Sequence, residues 1–65
     1  MTYTMTLSVD YENWFFIGES PNLQEALGAY GYVVQMAQKD GDLGIYKLED
    51  EDGDLIRYVD LSGAV

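Results

Sequence analysis

Between Leu43 and Leu61 apolar residues recur at every second position on either side of Glu49-Asp50-Glu51-Asp52-Gly53-Asp54, of which five of six are acidic. Two strands joined by a tight turn account for that pattern, because period two sends successive side chains to opposite faces. Asp52-Gly53 predicts the turn itself. A two-residue type I′ connection needs positive φ at both central positions, which Asp and Gly tolerate best. That placement gathers Tyr46 and Leu48 with Leu55, Arg57, Val59 and Leu61 on one face, taken as the core side, and Ile45, Lys47, Glu49, Ile56, Tyr58 and Asp60 on the other. It also sets Glu51 opposite Asp54, a like-charge pair that weakens a hairpin. Folding alone gives no reason to keep that pair. A three-residue turn would move the pairing by one residue.

Ahead of the hairpin the period changes twice. From Thr2 to Val9 it is again two, with Tyr3, Met5, Leu7 and Val9 on one face and Thr2, Thr4, Thr6 and Ser8 on the other, as in a half-buried strand. Asp10-Tyr11-Glu12-Asn13 forms a polar break. Trp14-Phe15-Phe16-Ile17 then makes a short apolar run that Gly18 ends; it reads as a second strand paired with the first, or as an irregular loop that pins Trp14 into the core. Because both faces of the run are apolar, it would be covered on both sides or would present one side to a partner; the core is the favoured reading, since a domain this small needs its aromatic side chains for burial.

Ser20-Pro21 predicts a helix start, with Ser as N-cap and Pro at the first helical position, where its missing N–H costs nothing; Asn22 with Glu25 is a second, overlapping cap signal. At about 100° per residue, Leu23, Ala26, Leu27, Tyr30, Val33, Val34 and Ala37 fall in one stripe roughly 120° wide, as a core-facing helix requires. Gly28 and Gly31 interrupt it at about 1 kcal/mol each relative to Ala, which suggests close packing against another backbone. Lys39-Asp40-Gly41 closes the helix, with a cation at the negative end of its dipole and Gly suited to the left-handed cap. Ser62-Gly63-Ala64-Val65 looks like a tail. The fold class that follows is α+β: an antiparallel sheet of three to four strands with one helix packed on one face, ordered β-β-α-β-β or β-α-β-β.

Sixty-five residues make one small domain, residues 1–65. With 48% hydrophobic and 14% aromatic residues it should fold despite its charge. No Cys and no His are present. Disulfides, thiolate or imidazole metal sites, thiol nucleophiles and histidine-based triads are therefore excluded. Carboxylate catalysis needs paired acids in a concave pocket, which so small a domain seldom encloses. We expect no enzyme and no cofactor. Twelve Asp and Glu against three Lys and Arg give a net charge of −9, which repels nucleic acid and anionic membranes and attracts basic protein surfaces. Met1-Thr2-Tyr3-Thr4-Met5-Thr6 lacks a basic, then apolar, leader pattern, and no transmembrane run follows, so an intracellular, cytoplasmic protein is expected.

The partner-binding candidates are Glu49, Asp50, Glu51, Asp52 and Asp54, supported by Asp10 and Glu12 if the first turn lies on the same side. Duplex DNA carries about one charge per 1.7 Å, so nine net charges match roughly 15 Å of duplex. Such a strip could enter a Lys- and Arg-lined groove built for phosphates, or could simply keep a small domain soluble and its edges unpaired. Asp50, Asp52 and Asp54 alternate like the start of an EF-hand loop, but Gly53 stands at the fourth position rather than the sixth and no Glu stands at the twelfth. Tyr32 and Met36 fall opposite the apolar stripe, as scattered surface residues or as a partner contact.

In size, charge and layout, the alternating strand from Tyr3 to Val9, the Ser20-Pro21 helix and the acidic Glu49–Asp54 hairpin resemble the small, acidic, cysteine-free proteins that bacteriophages encode against host defence, including anti-CRISPR proteins and other DNA mimics. No motif carries the resemblance. It implies binding without catalysis, in the host cell, to the basic nucleic-acid-binding surface of a CRISPR effector or restriction enzyme. The other reading is a structural or assembly subunit that uses Trp14 to Ile17, or Tyr32 and Met36, as an apolar contact and keeps its acids for solubility.

Overall fold

A computed structural model describes residues 1–61; Ser62 to Val65, the expected tail, lie outside them. The chain runs β1 (Tyr3–Ser8), β2 (Phe15–Ser20), α1 (Leu23–Asp40), β3 (Ile45–Glu49) and β4 (Leu55–Asp60). The strands form one sheet in the order β2-β1-β3-β4, with every neighbouring pair antiparallel. Two hairpins thus lie side by side, and α1 carries the chain from one edge strand across one face to the start of β3. This is the α+β layout that the change of period from two to 3.6 and back predicts.

The helix begins at Asn22, whose side chain accepts the N–H groups of Gln24 (2.8 Å) and Glu25 (3.1 Å). Ser20 is the last residue of β2, and its hydroxyl donates to the Asn22 carbonyl and the Glu25 carboxylate instead. The expected Ser20 cap is therefore corrected by two positions: β2 holds Ser20 in the ladder, opposite Tyr3, and leaves the cap to the next residue with a short acceptor. At the other end Gly41 closes the helix as expected.

The core lies between the helix and the two central strands. Tyr3 and Met5 of β1 and Tyr46 and Leu48 of β3 pack with Ala26, Tyr30 and Ala37 of the helix, and the Tyr30 hydroxyl donates to the Tyr46 carbonyl at 3.0 Å. Every buried strand residue belongs to β1 or β3. One helix covers about two strands, since helices pack some 8–10 Å from their neighbours and strands lie roughly 4.8 Å apart. The edge strands are left half bare. Hence the expectation that Trp14 to Ile17 fill the core is overturned: Phe15 is 58% exposed, Phe16 64%, Trp14 38% and Ile17 37%. Phe15 to Ile17 belong to a strand that Trp14 precedes, and it continues through Gly18 by a bulge at Ile17. Gly28 and Gly31 also differ from expectation. Both are exposed, and a methyl group at either would meet no atom within 4 Å, so close packing does not explain them.

Candidate partner-binding surfaces

The acidic hairpin closes differently from a two-residue turn. The Gly53 N–H donates to the Asp50 carbonyl and the Asp50 N–H to the Asp54 carbonyl, both at 3.0 Å, while Gly53 takes a φ of 86°. This is a three-residue loop, Glu51-Asp52-Gly53, in which the left-handed position falls on the residue that tolerates it. Asp50, rather than Glu51, stands opposite Asp54. Its Oδ1 accepts the N–H groups of Asp52 and Asp54, each at 2.9 Å, so this acid organises the turn. The register then slips back at a bulge between the Leu48–Arg57 and Glu49–Leu55 pairs. That bulge absorbs the extra loop residue. Leu48 meets Arg57, Lys47 meets Tyr58 and Tyr46 meets Val59, as the shorter turn would have it, and only Leu55 and Ile56 exchange sides: Ile56 packs on the core and Leu55 is 56% exposed.

Register also decides where the supporting acids lie. Glu49 pairs with Thr4, and Ile45 pairs with Ser8, so the tip sits beyond the start of β1 whereas Asp10 and Glu12 follow its end. Asp10 and Glu12 are at the opposite end of the sheet from the tip, and the condition for adding them to one strip is not met. Asp10 is committed to its own turn. Its carboxylate accepts the N–H groups of Asn13 (2.8 Å) and Glu12 (2.9 Å), the Asn13 side-chain amide (2.7 Å) and the Ser8 hydroxyl. These donors, led by the Asn13 backbone, hold its carboxyl well below the usual carboxylate range. Ser8 in turn accepts the Tyr11 N–H, and the Tyr11 hydroxyl reaches Asp60 at 2.8 Å. Tyr11 thus spans the row Ser8–Ile45–Asp60 on the face away from the helix, where Ile45 is 1% exposed.

The twelve carboxylates therefore divide by end. Glu49, Asp50, Glu51, Asp52 and Asp54 are joined by Glu19, which lies in one row with Thr4 and Glu49, and by Glu25 at the helix start, bonded to Ser20. Asp10, Glu12, Asp40, Asp42 and Asp60 occupy the other end. The 18-residue helix separates the two groups, a span of about 27 Å at 1.5 Å per residue. Lys47 lies between them, 3.5 Å from Glu49 and with its Nζ 4.1 Å from the centre of the Trp14 ring. Among the described residues no basic side chain pairs with Asp50, Glu51, Asp52 or Asp54. Asp50, Asp52 and Asp54 place carboxylate oxygens within 4.8 Å of one another and could touch one cation together; the hydrogen bonds of the turn already bring them that close.

Between the acidic ends the surface carries exposed aromatic side chains around Lys47. On the face away from the helix, Phe16, Thr6, Lys47 and Tyr58 form one row across all four strands, with Trp14 beside Lys47 and Tyr58 54% exposed. On the helix side, β2 and the helix flank a cleft of about 200 Å³ lined by Tyr3, Met5, Ile17, Gly18, Glu19, Ser20, Ala26, Ala29 and Val33. It exists because Gly18, Ala26 and Ala29 carry little or no side chain where strand and helix face each other. Tyr32 (65% exposed) and Met36 (36%) continue the apolar surface along the helix. Alternation alone does not mark β2 as exposed, because its apolar residues occupy both faces. No protein-family model, characterised protein or solved structure matches the chain, and no described helix is long and apolar enough to cross a membrane.

Proposed function

We propose that the protein is a non-enzymatic acidic binding protein that occupies the basic surface of a nucleic-acid-binding protein, of the kind found in a CRISPR effector or restriction enzyme. The observation that carries this reading is the crowding of seven of twelve carboxylates at the hairpin end, where Lys47 and Arg57 are the nearby basic residues of the hairpin and, among the described residues, Glu49 alone of the seven is ion-paired, with Lys47. Turn chemistry accounts for Asp50 and Gly53. It makes no demand on the side chains of Glu51, Asp52 and Asp54, and like charges so close cost folding energy. Carried together on the hairpin, they offer a basic groove a set of anionic oxygens in place of phosphates.

The test is capture from a nuclease-treated bacterial lysate on the immobilised chain, followed by elution with duplex DNA. Nucleic-acid-binding proteins should be retained at low salt, released by DNA, and lost when Glu49→Gln, Asp50→Asn, Glu51→Gln, Asp52→Asn and Asp54→Asn are combined. Retention that DNA does not compete and that the substituted chain preserves would contradict the reading and favour an assembly subunit. That second reading draws on one observation, the exposure of Phe15 and Phe16 at 58% and 64%.

A further inference from the structure

The edge strand β2 and the cleft behind it are not used by the charge-based reading. Edge strands expose a row of unpaired backbone N–H and C=O groups and are normally blunted by Lys, Pro or a cover. From Phe15 to Ser20 this one has neither Lys nor Pro, only a bulge at Ile17 and one acid, Glu19. Apolar side chains flank its open edge on both faces, Phe15 and Ile17 toward the helix and Trp14 and Phe16 away from it. The neighbouring cleft, about 200 Å³, is roomy enough for one large side chain, given that an apolar cavity of about 150 Å³ accepts benzene.

We propose that β2 accepts an extended strand from a basic partner protein, which adds to the sheet and inserts one Leu, Met or Phe side chain into the cleft between Gly18 and Ala29. Such strand addition takes affinity from main-chain hydrogen bonds and specificity from pockets for alternate side chains. Charge selects the occupant. The acids stand at both ends of β2, with Glu19 next to its last residue, in the row with Thr4 and Glu49 on the face away from the cleft, and Asp10 and Glu12 before its first residue, while its middle is uncharged. A strand with an apolar centre and Lys or Arg at its ends complements that arrangement. A second copy does not, because pairing β2 with β2 in either direction sets an acidic end beside an acidic end, at −9 per chain. The inference rests on the preceding reading for the sign of the partner's charge.

The experiment uses a synthetic peptide, Lys-Arg-Thr-Val-Thr-Phe-Thr-Val-Thr-Lys-Arg, with amide hydrogen exchange and Trp14 fluorescence as readouts. The peptide should slow exchange at β2 amides and leave those of β4 unchanged. Ala29→Leu, which fills the cleft without altering charge or helix propensity, should weaken binding at least tenfold at unchanged Tm. Replacing the central Phe of the peptide with Ala should do the same on the unaltered protein. Protection on β4, no protection on β2, or equal affinity after both replacements would overturn the proposal, as would β2 protection that rises with protein concentration in the absence of peptide, which would make a second copy the occupant. The five tip substitutions distinguish this from the charge-based reading: they should leave the β2 protection pattern and the effect of Ala29→Leu in place.

Discussion

Asp10 shows how much one side chain can settle. Four donors converge on it, so the folded protein keeps it ionised at a pH where the unfolded chain, with an Asp pKa near 3.9, takes up a proton. Its contribution to stability is thus fully present above about pH 4 and is lost as pH falls below that, toward the folded value. Asp10→Asn should lower Tm at pH 7, and the gap to the parent should shrink as pH drops below 4. Gly28 and Gly31 lead to the opposite expectation. With open space at both positions, Gly28→Ala and Gly31→Ala should each stabilise the helix by about 1 kcal/mol, read from urea unfolding. The helix cap shows what residue type alone conveys: Ser20, Asn22 and Glu25 all suit a helix start, and the strand that ends at Ser20 decides among them.

At the scale of elements, the pattern of alternation fixed more than the turn did. The pairings Tyr46–Val59, Lys47–Tyr58 and Leu48–Arg57 follow from burying Tyr46 and Leu48, and the sheet keeps them although the loop is one residue longer than Asp52-Gly53 implies. The bulge that reconciles the two was not legible, because Leu55 and Ile56 are equally apolar and either could face the core. Gly53→Ala tests the loop directly. Forcing an L side chain to a φ of 86° should cost about 1–2 kcal/mol and disturb amides around Asp50 and Asp54, with the β1–β2 hairpin unaffected. Trp14 to Ile17 failed as a core prediction for a geometric reason. An apolar strand reads alike in the centre of a sheet and at its edge, and only the width of a single helix against four strands shows that β2 is left half uncovered.

For the whole molecule, composition supplied the sign and size of the charge but not its arrangement. The strip expected from the hairpin and the first turn is divided between two ends, because β1 runs the length of the sheet between Thr4, beside Glu49, and Ser8, beside Ile45. Glu19 and Glu25 join the hairpin end through strand pairing and capping, which their positions in the chain do not announce. The central claim is that this folded array of carboxylates stands in for a polyanion. Its most direct measurement is the affinity for a captured nucleic-acid-binding protein between about 50 and 200 mM salt, for the native chain and for the chain with all five tip acids made neutral. The native chain should lose tenfold or more across that range, and the neutral one should bind weakly with a flat salt dependence. Equal affinity and equal slopes for the two chains would contradict the claim.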